Sequence, residues 1–182
     1  MAIKRLVIDG FGQIELNNCA FRRDGRIEAQ CKLDKTDFKD IAAENGMLLA
    51  IDNVERVLKL PKDDTLPVAL VYTTEHMYDE RANALKNFHT TLDDFMPRLG
   101  YLAKYDKYTT NCVSYDDGEF TDDEAVVAAL DAIAETPVYA TYCENGCHKL
   151  TKTKPEGIVL KVVKKTTMPD GQLGVKLQVL DC

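Results

Sequence analysis

The sequence lacks the long apolar runs, the basic clusters and the leader-like start that would assign it to a membrane, a nucleic acid or a secretory route. No run approaches the roughly 18 apolar residues of a membrane-spanning helix. The formal net charge is −7 and no basic cluster is longer than two residues, a pattern that disfavours duplex nucleic acid as a partner. The apolar stretch after Met1 is too short for a signal peptide, so we expect the six cysteines to be thiols in a reducing cytoplasm.

The sequence also has few of the motifs that carry catalysis. No serine or cysteine lies in a nucleophile elbow of the Gly-x-Ser-x-Gly type. Gly10-Phe11-Gly12 leads into a predicted strand, whereas a dinucleotide-binding loop must open a helix. The carboxylates of residues 116–123 lack the alternating ligand spacing of a calcium-binding loop. We therefore predict that the protein is not an enzyme, and we assign no catalytic, cofactor-binding or metal-binding residue and no cofactor.

Length and composition fit one domain with a β-rich core. The chain has 182 residues, of which 45% are apolar; folding at this size buries about 70% of the unfolded surface. Short apolar runs between turn signals favour an antiparallel β-barrel or sandwich of the mainly β (α+β) class. We predict a single domain, 1–182, with a β core at 1–73 and 137–182, a flanking helix at about 121–135 and a mid-chain excursion at 74–97.

Residues 155–182 predict a long β-hairpin that organises the fold. The Pro-Asp-Gly sequence at 169–171 is a turn signal, because proline presets φ and glycine accepts a positive φ. Beyond the turn, apolar and polar residues alternate, which predicts a strand with one buried face lined by Val175, Leu177 and Val179. A hairpin this apolar needs further strands or a helix against its buried face.

Two more hairpins are predicted from turn residues that lie between apolar runs. Asp24-Gly25 separates residues 19–22 from residues 26–31, and Asp52-Asn53 divides the apolar segment 47–60. Both dipeptides accept the positive φ that a tight hairpin turn requires. Because loops this short join neighbouring strands, we expect each pair to be adjacent in a sheet.

One helix is predicted, at about 121–135. Thr121 and Glu124 form a capping box, in which the threonine oxygen accepts a backbone N–H three residues on and the glutamate reaches back. Thr136-Pro137 ends the helix. The apolar residues recur at helical spacing and form one stripe, which consists of Val126, Val127, Leu130, Ile133 and Ala134.

The excursion at 74–97 interrupts the strand pattern, because charged, aromatic and histidine residues follow one another without a period of two. Excursions of this length in compact domains tend to be functional or interfacial. Tyrosines are concentrated over 72–115, and they favour a protein interface over base stacking because the chain is acidic. We predict a docking surface within 72–115, with Phe95 and Met96 at its apolar centre and charged residues such as Arg81 at its rim.

The segment 143–148, Cys-Glu-Asn-Gly-Cys-His, is the sharpest candidate for a metal site. Cys143, Cys147 and His148 can supply three zinc ligands, with Cys112 or Cys182 as the fourth. Structural zinc sites usually bring two ligand pairs at short spacing, and this chain has one pair, separated by three residues rather than two. We therefore favour a buried cysteine, a turn cysteine and an exposed histidine. A zinc- or thiol-dependent cytoplasmic binding module centred on this segment is the alternative.

His76 is a second chemical candidate, since Glu75, Asp79 and Glu80 surround it in the sequence. A histidine among carboxylates suits a catalytic base or a metal ligand. A solvated loop or a salt-bridged interface explains the same residues without chemistry, and we favour that interpretation. An enzyme with His76 at its site is the third functional hypothesis.

Several segments share a likeness to one kind of protein. They are Lys4-Arg5-Leu6-Val7-Ile8-Asp9-Gly10, Phe21-Arg22-Arg23-Asp24-Gly25-Arg26-Ile27-Glu28-Ala29-Gln30, Tyr72-Thr73-Thr74-Glu75-His76-Met77-Tyr78-Asp79-Glu80, Tyr108-Thr109-Thr110-Asn111 with Tyr115-Asp116-Asp117, and the closing hairpin. Together they resemble tailed-bacteriophage virion proteins of the small head-associated kind that sit with the major capsid protein. The likeness extends over most of the chain.

This resemblance implies a non-enzymatic structural protein of the virion, assembled in the host cytoplasm and present in many copies per particle. The leading form is a head decoration or auxiliary capsid protein that stabilises the capsid lattice, and a tail or connector component is the alternative. The expected partners are the major capsid protein or other virion proteins, together with further copies of the chain in a symmetric particle. Neither direct nucleic-acid binding nor a membrane is expected, and the resemblance transfers no catalytic residue.

Overall fold

The computed structural model describes residues 2–62, 65–73 and 84–182, which form sixteen strands and three short helices. The strands belong to one eight-stranded, one six-stranded and one two-stranded sheet, and neither large sheet closes on itself. The predicted mainly β fold with a flanking helix is therefore confirmed, and it consists of open sheets rather than a closed barrel.

The eight-stranded sheet contains both ends of the described chain. All its neighbouring strands are antiparallel except β12 and β14, which are parallel. In spatial order its strands are β1 (Ile3–Arg5), β12 (Val113–Asp116), β14 (His148–Thr151), β13 (Tyr139–Tyr142), β15 (Val159–Thr167), β16 (Leu173–Asp181), β11 (Lys107–Thr110) and β2 (Ile14–Asn18).

The six-stranded sheet is built from the first half of the chain and one later strand. In spatial order it consists of β3 (Ile27–Glu28), β10 (Leu99–Gly100), β8 (Val68–Val71), β6 (Leu48–Asp52), β7 (Val57–Lys59) and β4 (Lys32–Leu33). The two-stranded sheet pairs β5 (Ala43–Glu44) with β9 (His89–Thr90). The helices of the described residues are α1 (Ala20–Asp24), α2 (Ala84–Asn87) and α3 (Asp123–Asp131).

Apolar side chains fill two clusters, one on each face of the six-stranded sheet. The first cluster packs Leu48 of that sheet with Leu177 of β16 and Leu130 of α3. The second cluster lies on the opposite face and includes Leu49 and Cys147. Because side chains alternate between faces along a strand, the complete burial of both Leu48 and Leu49 means that β6 is covered on both sides.

The predicted closing hairpin is confirmed by β15 and β16, which pair antiparallel over their length. The turn between them is closed by the Met168 N–H, which donates to the Gln172 carbonyl at 2.8 Å. Gly171 has φ +89°, a value that residues with a side chain rarely adopt. The inward-facing residues of β16 are fully buried, as the alternating pattern predicts: Val175, Leu177 and Val179.

The hairpin predicted across Asp24-Gly25 is wrong. Residues before this turn form α1, and Gly25 ends the helix with φ +71° and an N–H that donates to the Phe21 carbonyl. The helical turn buries Phe21 completely against Gly100, where any added side chain would overlap the phenyl ring. Asp-Gly accommodates a helix end as well as a hairpin because both need a positive φ, so the local signal did not distinguish the two.

The hairpin predicted across Asp52-Asn53 forms between β6 and β7, with a longer turn than expected. The Asp52 carboxylate accepts backbone N–H groups of Val54 and Glu55, each at 3.0 Å, and Arg56 has φ +58°. Aspartate at the start of a turn favours this arrangement because its side chain replaces a backbone acceptor.

The predicted helix is present as α3, shorter than 121–135 and with a different cap. Asp122, rather than Thr121, is the N-cap, and its side chain accepts the Ala125 N–H at 2.8 Å. A carboxylate is the stronger acceptor, and it also complements the positive end of the helix dipole. Although α3 is the longest of the described helices, none of them is long and apolar enough to cross a membrane.

Alanine substitution of Leu177 is expected to destabilise the protein by about 2–5 kcal/mol, because it opens a cavity under the closing hairpin. Lys176→Ala is the matched control on the opposite face of β16, and it should change the stability by less than about 0.5 kcal/mol. Urea-induced unfolding of both variants measures the difference. Similar losses of unfolding free energy in the two variants would contradict the assignment of Leu177 to the buried face of β16 and Lys176 to the opposite face.

Candidate functional site

The cysteines and the histidine singled out by the sequence lie at a buried junction of the sheets. Cys143 and Cys147 flank the turn between β13 and β14, and His148 is the first residue of β14. His148 is fully buried, so the expectation of an exposed histidine is wrong. The reason is that β14 has a partner strand on each side, which its short sequence did not reveal. His76, the other candidate, lies outside the described residues.

Cys112 and Cys147 form a buried thiol pair. They directly precede Val113 and His148, which are partners in the parallel pairing of β12 with β14, so the register places the two cysteines side by side. Their Sγ atoms are 3.4 Å apart, and the Cys112 thiol donates to the Cys147 sulfur. Both residues are at most 1% exposed, and all six cysteines are free thiols in this structure.

A buried ion pair lies beside these thiols. Arg5 of β1 donates from both terminal nitrogens to the two carboxylate oxygens of Glu44 in β5, with 2.8 Å between Nη1 and Oε1. Glu44 also accepts the backbone N–H of Gly12 at 2.5 Å. The Glu44 side chain is 7% exposed and the Arg5 side chain 32%, so a part-buried ion pair ties the first strand to the two-stranded sheet.

The two thiols of the pair differ in acidity because one donates to the other. The hydrogen bond from Cys112 lowers the pKa of Cys147, and the positive charge of Arg5 adds to this effect while burial opposes it. The same hydrogen bond, together with burial, raises the pKa of Cys112 well above its ordinary value. Cys147 is therefore the sulfur that ionises more readily, and Cys112 retains its proton.

Arg5 remains charged beside the thiols. Burial lowers the pKa of Arg5, but the hydrogen bond to Glu44 and the nearby charges outweigh burial and hold this pKa above its ordinary value. The charge of Arg5 lowers the pKa of Cys147, while the carboxylate of Glu44, its ion-pair partner, acts in the opposite direction.

His148 is held in its neutral form. Its Nε2 lies 2.6 Å from the Tyr108 hydroxyl, and the two rings meet edge to face with centroids 5.5 Å apart. Burial lowers the pKa of His148 to about 3 and raises the pKa of Tyr108 well above its ordinary value. The tyrosine therefore keeps its proton and the histidine stays neutral, so the two form a hydrogen-bonded contact between uncharged groups in the core.

The ligands suggested for zinc do not converge on one point. The Nε2 atom of His148 faces its tyrosine, whereas Cys143 Sγ lies 2.8 Å from Asn145 Oδ1. Cys182 follows the end of β16, and its Sγ lies 3.3 Å from the Leu102 carbonyl oxygen. Over the ranges that the structure describes, no three histidine, cysteine or acidic side chains are grouped as a metal site requires. Metal analysis of the purified protein is the test of the zinc-module alternative.

A second candidate is an exposed apolar surface, the mid-chain patch, formed by Ile41, Leu92, Phe95 and Met96. Their side chains are 44%, 38%, 47% and 42% exposed, respectively. Ile41 and Leu92 line the same cleft, which has a volume of about 430 Å³ and also contains Phe11. Three of the four residues belong to the predicted excursion, whose residues 74–83 lie outside the described part of the chain.

Aromatic contacts support the mid-chain patch from beneath. Phe11 stacks on His89 of β9 with 4.0 Å between ring centroids, and Phe88 contacts Phe95 with a centroid separation of 6.1 Å. His89 belongs to β9, which pairs with β5, so the ring on which Phe11 stacks is part of the two-stranded sheet that also carries the buried Glu44. The patch therefore rests on a defined element of the fold.

Sequence reasoning identified the cysteine segment and the excursion but missed the ion pair. Arg5 and Glu44 are 39 residues apart, and no local spacing links them. The available signal was a pair of charged residues, Lys4 and Arg5, within the segment 3–8, because a charge among apolar residues needs a partner where it is buried.

The chain was also compared with protein-family models, with curated proteins and with solved structures, and none of the three comparisons finds a match. The description of the two candidate sites therefore comes from the geometry given above. The likeness of the sequence segments to tailed-phage virion proteins stays a prediction.

Removing one partner of the Arg5–Glu44 ion pair should lower the free energy of unfolding more than removing both partners. Glu44→Gln is expected to cost about 1–3 kcal/mol because it leaves the Arg5 charge partly buried without a counter-charge. Adding Arg5→Met to that variant should recover part of the loss. Urea unfolding of the two single variants and the double variant gives the coupling energy. The exposed pair Arg23–Asp24 is the matched control, and additive effects at both pairs would contradict a buried interaction.

Stability should fall in acid through His148. Its pKa is about 6.5 when unfolded and about 3 when folded, so the unfolded chain binds the proton more readily between these values. This contribution is complete above pH 6.5 and is lost as the pH falls toward 3. Between pH 6.5 and about 4.5, the wild-type protein should lose about 2 kcal/mol more than His148→Gln. Urea unfolding across this pH range measures both profiles, and parallel profiles would contradict the prediction.

Proposed function

We propose that this protein is a non-enzymatic structural component of a tailed-bacteriophage virion, in the form of a head decoration or auxiliary capsid protein that stabilises the capsid lattice. The resemblance of several sequence segments suggests the class. The observation that carries the proposal is the mid-chain patch, which offers the kind of surface by which such a protein binds its neighbours.

Within the mid-chain patch, Ile41 and Leu92 line one cleft, and Phe95 and Met96 follow Leu92 by three and four residues in the chain. Of the eight large apolar side chains exposed among the described residues, four belong to the patch. The other four lie on separate elements and are single exposed residues of a kind found on most proteins: Val7, Val54, Tyr105 and Val163. Exposed apolar groups that share one surface typically mark an interaction site.

The surroundings of the patch indicate the chemistry of its partner. The cleft between Ile41 and Leu92 is bordered by Asp40 and Asp93, with Lys39 as a single positive charge. An apolar centre with a charged rim is the usual composition of a protein interface. We therefore assign to the partner an apolar side chain that enters the cleft and a positive charge that faces the rim carboxylates.

The occupant that we assign to this surface is the major capsid protein of the head. Copies of the chain would then repeat with the symmetry of the capsid, each one docked through the same patch. A tail or connector component is the alternative, because the same patch would equally dock a protein of that part of the particle.

Binding to the particle should depend on the patch. Phe95→Asp and Leu92→Asp place a charge in the apolar centre, and each should weaken binding to phage heads from the same genome by at least about 30-fold. Cosedimentation of purified protein with assembled heads, at a series of protein concentrations, measures this loss. Heads and tails separated before the assay distinguish a decoration protein from a tail component.

Val163→Asp is the matched control for these variants, because Val163 is 40% exposed and lies on the closing hairpin instead of the patch. This control should bind heads as the wild-type protein does. All three variants should also retain the wild-type unfolding midpoint, since they change exposed side chains. Equal binding by the patch variants and the control, or failure of the wild-type protein to bind any virion part, would overturn the proposal.

A further inference from the structure

The thiol pair Cys112 and Cys147 is not used by the proposed docking function. It is a buried pair of sulfurs, 3.4 Å apart, with the Arg5 guanidinium beside it. Buried cysteines usually act as small apolar side chains, and such residues need no sulfur neighbour and no adjacent positive charge. Two sulfurs in contact are instead the arrangement from which a disulfide can form.

We propose that Cys112 and Cys147 are a specific oxidation site, which a peroxide converts into an intramolecular disulfide linking the start of β12 to the start of β14. The proposal does not depend on the docking function. It assigns to the pair a chemical class of substrate, a small peroxide, and a single product.

The backbone already has the geometry that a disulfide needs. Cys112 and Cys147 directly precede Val113 and His148, the first paired residues of the parallel strands β12 and β14, and the His148 N–H donates to the Cys112 carbonyl at 3.0 Å. Neighbouring strands are about 4.8 Å apart, within the Cα separation of about 4.4–6.8 Å that disulfides span. The sulfurs must approach from 3.4 Å to the bonded distance of about 2.0 Å. Side-chain rotation provides this movement without a change in strand pairing.

The two cysteines have different roles in the reaction. The Cys147 thiolate attacks one peroxide oxygen, the O–O bond breaks, and the leaving hydroxide takes a proton to become water. This step oxidises Cys147 to a sulfenic acid. The Cys112 sulfur then attacks the Cys147 sulfur, the S–O bond breaks, and the departing hydroxide takes the Cys112 proton as a second water. In total, two thiols and one peroxide give one disulfide and two waters.

The other cysteines are less suited to this reaction. Cys143 also lies near the pair, but its thiol donates to Asn145 Oδ1 at 2.8 Å and to the Cys147 carbonyl at 3.2 Å. Burial raises the pKa of Cys143 to about 12, which keeps it a thiol. Cys182 is exposed and its thiol donates to the Leu102 carbonyl, so peroxide should oxidise it without forming an internal bond.

The test is oxidation of the full-length protein in the Cys182→Ser background, which removes the exposed thiol. After treatment with hydrogen peroxide, mass spectrometry should show the loss of two hydrogens and a peptide link between Cys112 and Cys147. The linked residues are 35 apart in the chain, and closing a loop of this size should raise the unfolding midpoint by about 5–15 °C. A dithiol reductant should reverse both changes.

Two variants assign the roles of the sulfurs and control for indirect effects. In Cys112→Ser, peroxide should leave a sulfenic acid at Cys147 that a dimedone probe labels, whereas Cys147→Ser should give little labelling at Cys112. Cys143→Ser, the matched control, should form the link as the parent does. A link through Cys143, equal labelling of the two single variants, or retention of both thiols after prolonged peroxide treatment of the folded parent would overturn the proposal.

Discussion

Burial of one face of the closing hairpin is the constraint on which the other strands depend. β16 pairs with β15 on one side and with β11 on the other, and its inward residues are completely excluded from solvent. Such a row of apolar side chains contributes to stability only if a second layer covers it. The six-stranded sheet and α3 provide that layer, so residues from both halves of the chain meet in one core cluster.

Because the sheets must pack against one another, some polar groups are buried where the sheets meet. Where β1, β12 and β14 meet the two-stranded sheet, Arg5 and Glu44 neutralise each other, and the thiols of Cys112 and Cys147 lie next to them. A charge at such a position is tolerated only when it is paired. The junction thus holds together strands that are distant in sequence, while the two-stranded sheet beside it carries β9 and the rings beneath the mid-chain patch.

Local sequence patterns were sufficient to predict elements whose contacting residues are close together in the chain. The Pro-Asp-Gly turn and the period of two after it predict the closing hairpin, because turn and strands are adjacent in the chain. The hairpin predicted at Asp24-Gly25 was wrong, because the burial of Phe21 against Gly100 favours a helix end at this position. The thiol pair could not be predicted from the sequence, because Cys112 contacts Cys147 only through the parallel pairing of β12 with β14. The excursion at 74–97 stays a prediction, since residues 74–83 lie outside the described part of the chain, and the sequence did not predict the exposure of Ile41 beside Leu92.

Hydrogen exchange of the protein, free and bound to assembled heads, tests most directly whether the mid-chain patch is the docking surface. Amides of residues 88–97 outside β9 should exchange readily in the free protein and become protected on the particle, because the partner then covers the patch. Amides of β15 and β16 should be protected in both states, since they belong to the core. Unchanged exchange at 88–97 in a sample that is demonstrably bound, with new protection on another face, would contradict the account.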